Sequence, residues 1–461
     1  MHRTLRLHLI SPFLVLGILE SSLFFISVNI GLMTSYASVD AAIQITPFLP
    51  QTFFFVVTIM ILAFSLGLYN RQFGSIFSDV FTRIVATGAL SFVSLSFFYY
   101  VFPPLSIWRS AIAVAFPLSF FGWLGLRWFF LSVYRSDALK RRILVIGTGE
   151  KAARIERRER LNGTATFVCI GFVDVPPEER RIPANRILSS VSSLPEYVRE
   201  NRVDEIVIGL AERRGTLPMD DLVECRLAGI PIESYQAFWE RETGKVDIDD
   251  LRTDWFLFSG GFPGGRIQYL LKRGLDVWAS AVLLVLAWPI MMAAALAIRL
   301  EDRGPVFYRQ MRVGVAGYPF QLMKFRSMRT DAEADGVARW AQNDDERITA
   351  IGSVIRKLRI DELPQLFNVI KGDMSFVGPR PERPEFVQTL SNRWPFYFQR
   401  HSVKPGLTGW AQINFRYGSS IEDSKEKLSY DLYYVKHFSI IFDVLIMLQT
   451  LRVVIWTHGA R

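Results

Sequence analysis

LDVWASAVLLVLAWPIMMAAALAI spans residues 275–298 and is long enough to cross a bilayer, but Pro289 interrupts it. A proline inside a helix removes one backbone hydrogen bond and bends the helix by steric clash. Positive residues flank the stretch on both sides, namely Lys272 and Arg273 before it and Arg299, Arg303, Arg309 and Arg312 after it. Because such charges resist translocation, neither end is expected to cross. We therefore predict a re-entrant membrane helix that enters the cytoplasmic leaflet, bends at Pro289 and returns.

Two other interpretations of residues 275–298 stay open at the level of sequence. An ordinary membrane span would place everything downstream of it outside the cell. A core helix of a soluble domain would also be apolar, but the unbroken apolarity of this stretch disfavours it. The choice matters because the residues that carry chemistry all follow this stretch.

Four further apolar runs precede it, at about residues 9–32, 47–69, 80–102 and 107–131. Each has the length that a helix needs to span about 30 Å of hydrocarbon. Positive charge lies before the first run and after the fourth, at Arg3, Arg6, Arg135, Lys140, Arg141 and Arg142. The positive-inside rule puts both of these ends in the cytoplasm. We predict four transmembrane helices within residues 1–135. Glu20 of the first suits either a functional buried acid or, as we expect, a residue that faces a neighbouring helix or water.

The composition of the 461 residues fits membrane segments joined to soluble domains, with 50% hydrophobic and 14% aromatic residues. The mean hydropathy of +0.21 argues against a disordered chain and against a wholly soluble enzyme. The net charge of +9 accompanies no zinc-finger or homeodomain pattern, so it indicates a membrane surface or phosphorylated substrates and no nucleic acid. Cys169 and Cys225 form no CxxC motif, which is typical of buried thiols in a reducing compartment.

Residues 140–240 alternate between strand and helix patterns, which predicts a Rossmann-like α/β domain with a doubly wound parallel sheet. Three strand patterns are recognisable, at residues 142–146, 167–173 and 204–209. The first leads into Gly147-Thr148-Gly149, a turn that in dinucleotide-binding folds places phosphate at a helix N-terminus. No catalytic set follows this turn. A structural module and a nucleotide-binding module are therefore equally open.

Residues 241–265 are interpreted as a linker and residues 266–461 as the catalytic domain. The chain is thus predicted to be an integral membrane protein of mixed class. It combines a four-helix transmembrane bundle, an α/β Rossmann-like middle domain, and a mixed α/β catalytic domain with a Pro-kinked re-entrant membrane helix. The apolar stretch from Phe438 to Trp456 is interrupted by polar residues, which is typical of an amphipathic helix at the membrane surface.

The catalytic interpretation depends on Asp361-Glu362, an acid pair among many cations. Neighbours on a helix point about 100° apart, so the two carboxyl groups cannot share one proton. Alone, such a pair is commonly a favourable charge at a helix start. The expected phosphate-binding cations are Lys324, Arg326, Arg356, Arg380 and Arg383. Cations keep a carboxylate ionised, as a nucleophile requires, and arginines bind diphosphate through paired hydrogen bonds.

Four motifs follow one another behind the Pro-broken helix: Lys324-Phe325-Arg326-Ser327-Met328, Asp361-Glu362-Leu363-Pro364-Gln365, Gly378-Pro379-Arg380-Pro381 and Pro405-Gly406-Leu407-Thr408-Gly409. With them, residues 266–461 resemble the bacterial sugar transferase family, that is, the polyprenyl-phosphate hexose-1-phosphate transferases or monotopic phosphoglycosyl transferases. The four preceding spans and the Rossmann-like module resemble the long form of this family. Leu358-Arg359-Ile360 departs from the Thr-Ser-Leu often found before the acid pair.

The resemblance implies an enzyme of the bacterial inner membrane whose catalytic domain faces the cytoplasm. It implies that Asp361 attacks the β-phosphate of a UDP-sugar and releases UMP, after which undecaprenyl phosphate takes up the sugar phosphate. This reaction would initiate exopolysaccharide or O-antigen repeat units. Glu362 would assist as a base or, together with Asp361, as a ligand of Mg²⁺, which suits diphosphate charge. Pro289 would set the helix bend, and Arg380 would contact the nucleotide phosphate.

Two other functions stay open. The Gly147-Thr148-Gly149 turn suits a membrane-bound nucleotide-sugar dehydratase or epimerase, although no tyrosine has the YxxxK spacing of that chemistry. A non-catalytic scaffold of polysaccharide assembly would leave the acid pair and its arginines without a purpose. No motif encodes the sugar, and glucose or galactose is a guess from the long-form architecture. The sequence also allows a homodimer through the middle domain.

Overall fold

A computed structural model of the protein describes residues 12–36, 49–69, 77–135, 140–161, 165–176, 178–188, 193–210, 217–262, 265–330, 332, 345–415 and 420–455. Among the charges behind the predicted orientation, Arg3, Arg6 and the side chain of Arg135 lie outside the described residues, and so does Trp456 at the end of the predicted surface helix. The chain forms two compact units, Met1–Glu242 and Thr243–Arg461.

The first unit begins with four apolar helices, α1 Pro12–Tyr36, α2 Leu49–Ser65, α3 Phe77–Val101 and α4 Arg109–Arg135. Stretches of three of them are long and apolar enough to cross a membrane, namely Phe13–Ser35, Phe77–Val101 and Arg109–Val133. The helix α2 is shorter, with 17 residues. In the shared core, Phe24 and Trp123 meet edge to face with ring centroids 5.2 Å apart. The prediction of four apolar helices at the N-terminal end is confirmed.

A buried ion pair joins the first of these helices to the fourth. Glu20 is fully buried, and its Oε1 lies 2.5 Å from Nε of Arg127. Arg127 also donates to the carbonyl oxygen of Leu68 over 2.7 Å, and the hydroxyl of Tyr69 donates to the Glu20 carboxylate. Removing either partner would leave an uncompensated buried charge, so the pair fixes how these helices associate. The prediction that Glu20 faces a neighbouring helix is confirmed.

The rest of the first unit is a five-stranded parallel sheet between helices. The strands are β1 Arg141–Ile146, β2 Phe167–Val173, β3 Ile187–Leu188, β4 Glu205–Ile208 and β5 Ile232–Ser234, and the helices are α5 Glu150–Arg160, α6 Leu194–Glu200, α7 Met219–Leu227 and α8 Tyr235–Thr243. Along β1, Ile143 and Val145 enter one apolar core while Leu144 and Ile146 enter another on the opposite face. The strand order β3-β2-β1-β4-β5 is doubly wound, and the Rossmann-like prediction is confirmed.

The second unit mixes helices and short strands, as predicted. Its helices are α9 Thr253–Phe258, α10 Arg266–Asp302, α11 Ala350–Lys357, α12 Gln365–Lys371, α13 Pro384–Arg393, α14 Trp410–Asn414, α15 Ile421–Lys436 and α16 Ile440–Ile455, and its strands are β6 Phe307–Val313, β7 Pro319–Phe325, β8 Ser375–Val377 and β9 Gly406–Thr408. The expected linker, residues 241–265, contains α9, and its Val246, Leu251 and Trp255 are buried in a core with Leu432. After α8, the described part of this segment is therefore folded into the second unit.

The Pro-broken apolar stretch lies within α10, one helix of 37 residues with Pro289 inside it. One side of α10 is buried along its length, through residues such as Lys272 in its first half and Ile298 in its second. The opposite side exposes large apolar side chains, and Ile267, Leu270, Val285, Leu286 and Leu300 are between 70% and 74% exposed. An exposed apolar side of this extent is typical of contact with lipid or with another protein. The re-entrant path with its bend at Pro289 stays a prediction.

Candidate functional site

The acid pair lies in a short 3-10 turn between α11 and α12. After α11 ends at Lys357, Arg359 adopts a left-handed backbone conformation with φ 60° and ψ 17°. Such a conformation is unfavourable for a residue with a side chain, by about 1–3 kcal/mol. The turn Ile360–Glu362 follows, and both of its acids are buried. The left-handed residue thus changes the direction of the chain after α11, and the acid pair that follows is buried in the second unit.

Glu362 gathers the nearest cations. Its Oε1 accepts hydrogen bonds from Nη2 of Arg380 over 2.6 Å and from Nζ of Lys324 over 3.2 Å. Nη1 of Arg359 lies 3.8 Å from the same oxygen. Asp361, by contrast, forms no hydrogen bond or ion pair within the described segments of the chain. The pair therefore consists of one carboxylate held by cations and one that is left for another partner.

Lys324 reaches the acid pair because α12 docks on the β6–β7 hairpin. The side chain of Asn368, on α12, donates to the carbonyl oxygen of Gln321 over 2.7 Å and accepts from the amide of Met323 over 3.0 Å. Both bonds satisfy backbone groups of β7 that would otherwise lack a strand partner. They fix α12, and the acid pair just before it, next to Lys324 of the same strand.

Arg380 is positioned by two glycine motifs that lie side by side. The strands β8 and β9 are parallel neighbours, so the loop that follows β8 runs beside the motif that contains Gly406. A Cβ atom on Gly378 would lie 2.3 Å from the carbonyl oxygen of Lys404, and one on Gly406 would lie 2.0 Å from the amide nitrogen of Gly378. Only glycine permits so close an approach of two backbones. The two motifs are therefore one structural element, a relation that their positions in the sequence do not reveal.

Burial and charge separate the pKa values of the two acids. Burial raises the pKa of Asp361 to about 6 and the Glu362 carboxylate adds to the rise, while Lys324, Arg359 and Arg380 oppose it. Burial also acts against ionisation of Glu362, but Arg380, Lys324 and Arg359 outweigh it and hold the pKa of Glu362 well below its ordinary value. We expected nearby cations to keep the nucleophilic carboxylate ionised, and it is Glu362 whose pKa they lower. Asp361 titrates closer to neutrality and is mainly ionised at pH 7.

Of the five cations expected to bind phosphate, Lys324 and Arg380 contact the acid pair. Arg326 instead donates to Asp302 at the end of α10, with Nη1 and Oδ2 2.7 Å apart. Arg383 lies beside Glu385, with Nε and Oε2 3.7 Å apart. Arg356 is not among the cations that contact either acid in the described structure. The binding of phosphate by these five residues stays a prediction.

Two residues of the site are not distinguished by the sequence pattern. Arg359 is one of three basic residues just before the acid pair, and only its left-handed backbone shows that it, rather than Arg356 or Lys357, lies near Glu362. Asn368 occupies an ordinary position on α12, and its contact with β7 depends on the tertiary fold. The sequence signal that could identify Arg359 is its position two residues before Asp361. No feature of the sequence identifies Asn368 as a residue that positions the site.

The predicted Mg²⁺ site would consist of Asp361 and Glu362. Among the described residues, no group of three or more His, Cys, Asp or Glu side chains could hold a metal ion. Two carboxylates are enough for the kind of Mg²⁺ site in which one or two acids and the substrate phosphates bind the ion together. Since Arg380 and Lys324 bind Oε1 of Glu362, the suitable ligand atoms are the Asp361 oxygens and Oε2 of Glu362. Mg²⁺ binding stays a prediction.

The glycine turn of the first unit is filled by a carboxylate of the chain itself. Oε2 of Glu178 accepts hydrogen bonds from the amides of Thr148 and Gly149, over 3.0 Å and 3.1 Å. Asp174, at the end of β2, accepts from the hydroxyl of Thr148 over 3.0 Å. In dinucleotide-binding folds the corresponding groups bind pyrophosphate and ribose. Their internal use favours the structural interpretation of this module over the nucleotide-binding one.

Two protein families match the sequence. Residues 267–457 match the family described as bacterial sugar transferase, and this range contains the acid pair, Lys324 and Arg380. Residues 64–217 match the family described as CoA-binding domain, which covers part of the apolar helices and much of the parallel sheet.

Curated bacterial proteins also align with the chain. A Xanthomonas campestris pv. campestris protein, named UDP-glucose:undecaprenyl-phosphate glucose-1-phosphate transferase, is 30% identical over 365 residues, 71% of this chain and 73% of that protein. A Komagataeibacter xylinus protein, named undecaprenyl-phosphate glucose phosphotransferase, is 33% identical over 329 residues, 70% and 60% of the two chains. An Aeromonas hydrophila protein, named UDP-N-acetylgalactosamine-undecaprenyl-phosphate N-acetylgalactosaminephosphotransferase, is 45% identical over 240 residues, 52% and 56% of the two chains. The aligned chain thus spans less than two thirds of the last two relatives.

Proposed function

The chain belongs to the bacterial sugar transferase family, and from this premise we propose that it transfers a hexose 1-phosphate from a UDP-sugar to undecaprenyl phosphate. The division within the acid pair carries the proposal. Glu362 is bound by Arg380 and Lys324, while the buried Asp361 has no such partner in the described structure and a pKa of about 6. A carboxylate available for attack beside cations that bind phosphate is what displacement at a diphosphate requires.

In the first step, an Oδ atom of Asp361 attacks the β-phosphorus of the UDP-sugar. An O–P bond forms as the bond from this phosphorus to the bridging oxygen breaks, and UMP leaves with that oxygen. The sugar phosphate is then a mixed anhydride on Asp361. Arg380 and Lys324 would stabilise the negative charge that moves onto UMP, a role that their contacts with the acid pair support.

In the second step, a phosphate oxygen of undecaprenyl phosphate attacks the same phosphorus. The bond to Asp361 breaks, which restores the carboxylate and yields the lipid diphosphosugar. An ionised lipid phosphate has no proton to lose, so this step needs no general base. We assign Glu362 to holding Arg380 and Lys324 in place, which its short contacts to both support.

The acceptor is a lipid, and the packing of α10 supports a site at the cytoplasmic membrane surface. Before Pro289, Nζ of Lys272 lies 2.7 Å from Oδ2 of Asp443, and after it Ile298 packs with Phe325. A helix that crossed the bilayer would have its two ends on opposite sides of the membrane, about 30 Å apart. Packing of both halves against one folded unit opposes a crossing and favours the re-entrant path. The exposed apolar side of α10 would then lie in the leaflet that supplies the acceptor.

A divalent ion would suit the donor diphosphate at this site. Mg²⁺ held by Asp361 and Oε2 of Glu362 would neutralise part of the phosphate charge that opposes attack by a carboxylate. The protein residues would still orient the donor through Arg380 and Lys324.

The names of the relatives divide the sugar between two candidates. Two aligned proteins are named for glucose, and the A. hydrophila protein is named for N-acetylgalactosamine. We propose UDP-glucose and UDP-N-acetylgalactosamine as the first donors to test, with UDP-galactose beside them.

The proposal is tested by incubating the full-length protein with undecaprenyl phosphate, Mg²⁺ and each UDP-sugar in turn. We expect UMP and lipid diphosphosugar in equal amounts with at least one donor. Release of UDP, with the sugar joined to a lipid monophosphate, would instead indicate glycosyl transfer and contradict the proposal. A lack of product with every donor would favour the non-catalytic scaffold.

A further inference from the structure

A buried ion pair of the second unit lies directly behind Arg380. The side chains of Arg400 and Asp431 are 4% and 2% exposed. Nη2 and Nε of Arg400 donate to Oδ2 of Asp431 over 2.7 Å and 3.0 Å, and Nη1 donates to the hydroxyl of Tyr397 over 3.1 Å. Nη2 also donates to the carbonyl oxygen of Arg380 over 3.0 Å. Arg400 therefore holds the backbone of the residue whose side chain binds Glu362.

Packing alone gives little reason for this pair. Moving two charges out of water costs several kcal/mol per ion, and apolar side chains of similar volume often stabilise a fold as well or better. A guanidinium offers something that an apolar side chain lacks, namely donors fixed in one plane. In Arg400 these donors reach the Asp431 carboxylate and the Arg380 carbonyl at the same time.

The loop around Arg380 is held on both sides of this contact. The carbonyl oxygen of Pro379 accepts from the amide of Gly406 over 2.9 Å, and that of Pro381 accepts from Nη1 of Arg312 over 3.2 Å. Successive carbonyl oxygens are thus bound by separate parts of the unit. Such fixing reduces the conformational freedom that the Arg380 side chain would lose on meeting a substrate phosphate.

We propose that Arg400, oriented by Asp431, is a positioning residue that sets the Pro-Arg-Pro loop so that Arg380 meets both Glu362 and the donor diphosphate. The inference rests on the proposed function, because it gives Arg400 a part in the same first step. If Arg400 acts through Arg380, loss of either residue has the same consequence. The donor loses one guanidinium, and Glu362 loses one cation.

A double-mutant cycle on UMP release separates this role from a general effect on stability. Arg400→Lys is expected to lower kcat/KM for the UDP-sugar by about 10- to 100-fold, since displacement of a binding group by about 1 Å has effects of this size. In an Arg380→Gln background the same change is expected to alter kcat/KM by less than about twofold. Independent losses that multiply would overturn the proposal.

A second variant guards against loss of folding. The combination of Arg400→Met and Asp431→Leu replaces the pair by apolar groups and removes the bond to the Arg380 carbonyl. We expect an unchanged or higher Tm together with the same loss of kcat/KM. Full activity in this variant would overturn the proposal. Lys425 lies on α15, the helix that also carries Asp431, and forms a surface ion pair with Asp249. Lys425→Gln removes this ion pair, serves as the matched control and is expected to keep normal activity.

Hydrogen exchange of the full-length protein distinguishes failure of this inference from failure of the proposed function, because it needs no turnover. We expect amide exchange within residues 378–383 to rise about tenfold in Arg400→Lys, as loss of a charge-assisted bond would produce, and to stay normal in Lys425→Gln. Unchanged exchange in Arg400→Lys would overturn the positioning role whether or not UMP is released. A rise in exchange without UMP release from the wild type would overturn the proposed transfer reaction alone.

Discussion

The glycine turn of the first unit and the acid pair of the second differ in what their carboxylates bind. At the turn, the amides of Thr148 and Gly149 already donate to Glu178, a residue of the chain. At the acid pair, Glu362 likewise satisfies Arg380 and Lys324, but Asp361 beside it makes no such contact in the described structure. Both regions resemble phosphate sites in sequence, but among the described residues it is the acid pair that leaves a buried carboxylate without a partner.

The comparison shows why a motif alone is weak evidence for a ligand. A glycine turn before a helix offers donors, and a nearby acid of the same chain can accept from them as well as a phosphate can. The acid pair is different because its first residue is kept buried and close to cations that already have a partner. We therefore expect a ligand where the fold leaves a group unsatisfied, as it does at Asp361 in the described structure.

Removal of the unsatisfied carboxylate is the strongest way to break the comparison. Asp361→Asn keeps the size of the side chain but replaces the nucleophilic carboxylate by an uncharged amide, and we expect UMP release to fall by about 10³-fold or more, as for other catalytic nucleophiles. The loss is measured with the full-length protein and its preferred UDP-sugar. A loss of less than about tenfold would mean that another group attacks the diphosphate.

Changing the cations tests whether contact with the acid pair matters more than the total charge of the loop. Arg380→Gln is expected to lower kcat/KM for the donor by about 10²-fold, the size found when one charge-stabilising donor is lost. Arg383→Gln is the matched comparison, because Arg383 lies in the same loop but beside Glu385. We expect a loss of less than about tenfold there. Equal losses would indicate that the charge of the loop, and not its contact with Glu362, is decisive.

The pKa of about 6 for Asp361 predicts an acid limb in the rate of donor use. Because the ionised form attacks, kcat/KM is expected to rise about tenfold per pH unit below pH 6 and to level off above it. Arg380 is one of the cations that lower this pKa, so in Arg380→Gln the limb is expected to move to higher pH. A limb that does not move in this variant would contradict the assignment of the limb to Asp361.

Substitutions at the acid pair and at the glycine turn are also expected to change the free energy of unfolding, with opposite signs. The folded pKa of Asp361 is raised, so its ionisation opposes folding; this cost is absent below the ordinary pKa of an aspartate and complete above pH 6. Asp361→Asn is therefore expected to stabilise the protein at pH 8 by about 1–3 kcal/mol and to do so less at pH 5. Melting curves at the two pH values measure this, and destabilisation at pH 8 would contradict it.

At the glycine turn the same kind of change is expected to act in the opposite direction and leave catalysis alone. Glu178→Gln weakens the acceptor for two amides, which is expected to destabilise the fold by about 1 kcal/mol. UMP release is expected to stay within about twofold of the wild type at a temperature where both proteins are folded. A larger change in activity would show that the turn takes part in function, contrary to its structural interpretation.

Local patterns sufficed for much of the fold and for part of the site. The apolar run within residues 142–146 predicts a strand of the sheet, and the run before Arg299 predicts a long apolar helix. The acid pair was also recognisable, because few structural roles need so many cations around two acids. Each of these signals lies within one short segment of the chain.

The remaining features depend on contacts between distant segments. Arg326 lies two residues from Lys324, yet it pairs with Asp302 while Lys324 binds Glu362, and the strand pattern alone does not separate the two. The raised pKa of Asp361 comes first from burial, which no local pattern reports. The internal use of Glu178 at the glycine turn likewise depends on how the chain returns after β2.

The central claim, that Asp361 is the group left free to react, is tested most directly by mass analysis without the acceptor. The full-length protein is mixed with its UDP-sugar and digested, and the peptide that contains Asp361 is examined for a bound sugar phosphate. We predict an adduct on this residue, formed together with UMP and lost when undecaprenyl phosphate is added. UMP that appears only when the acceptor is present, with every peptide unmodified, would contradict it.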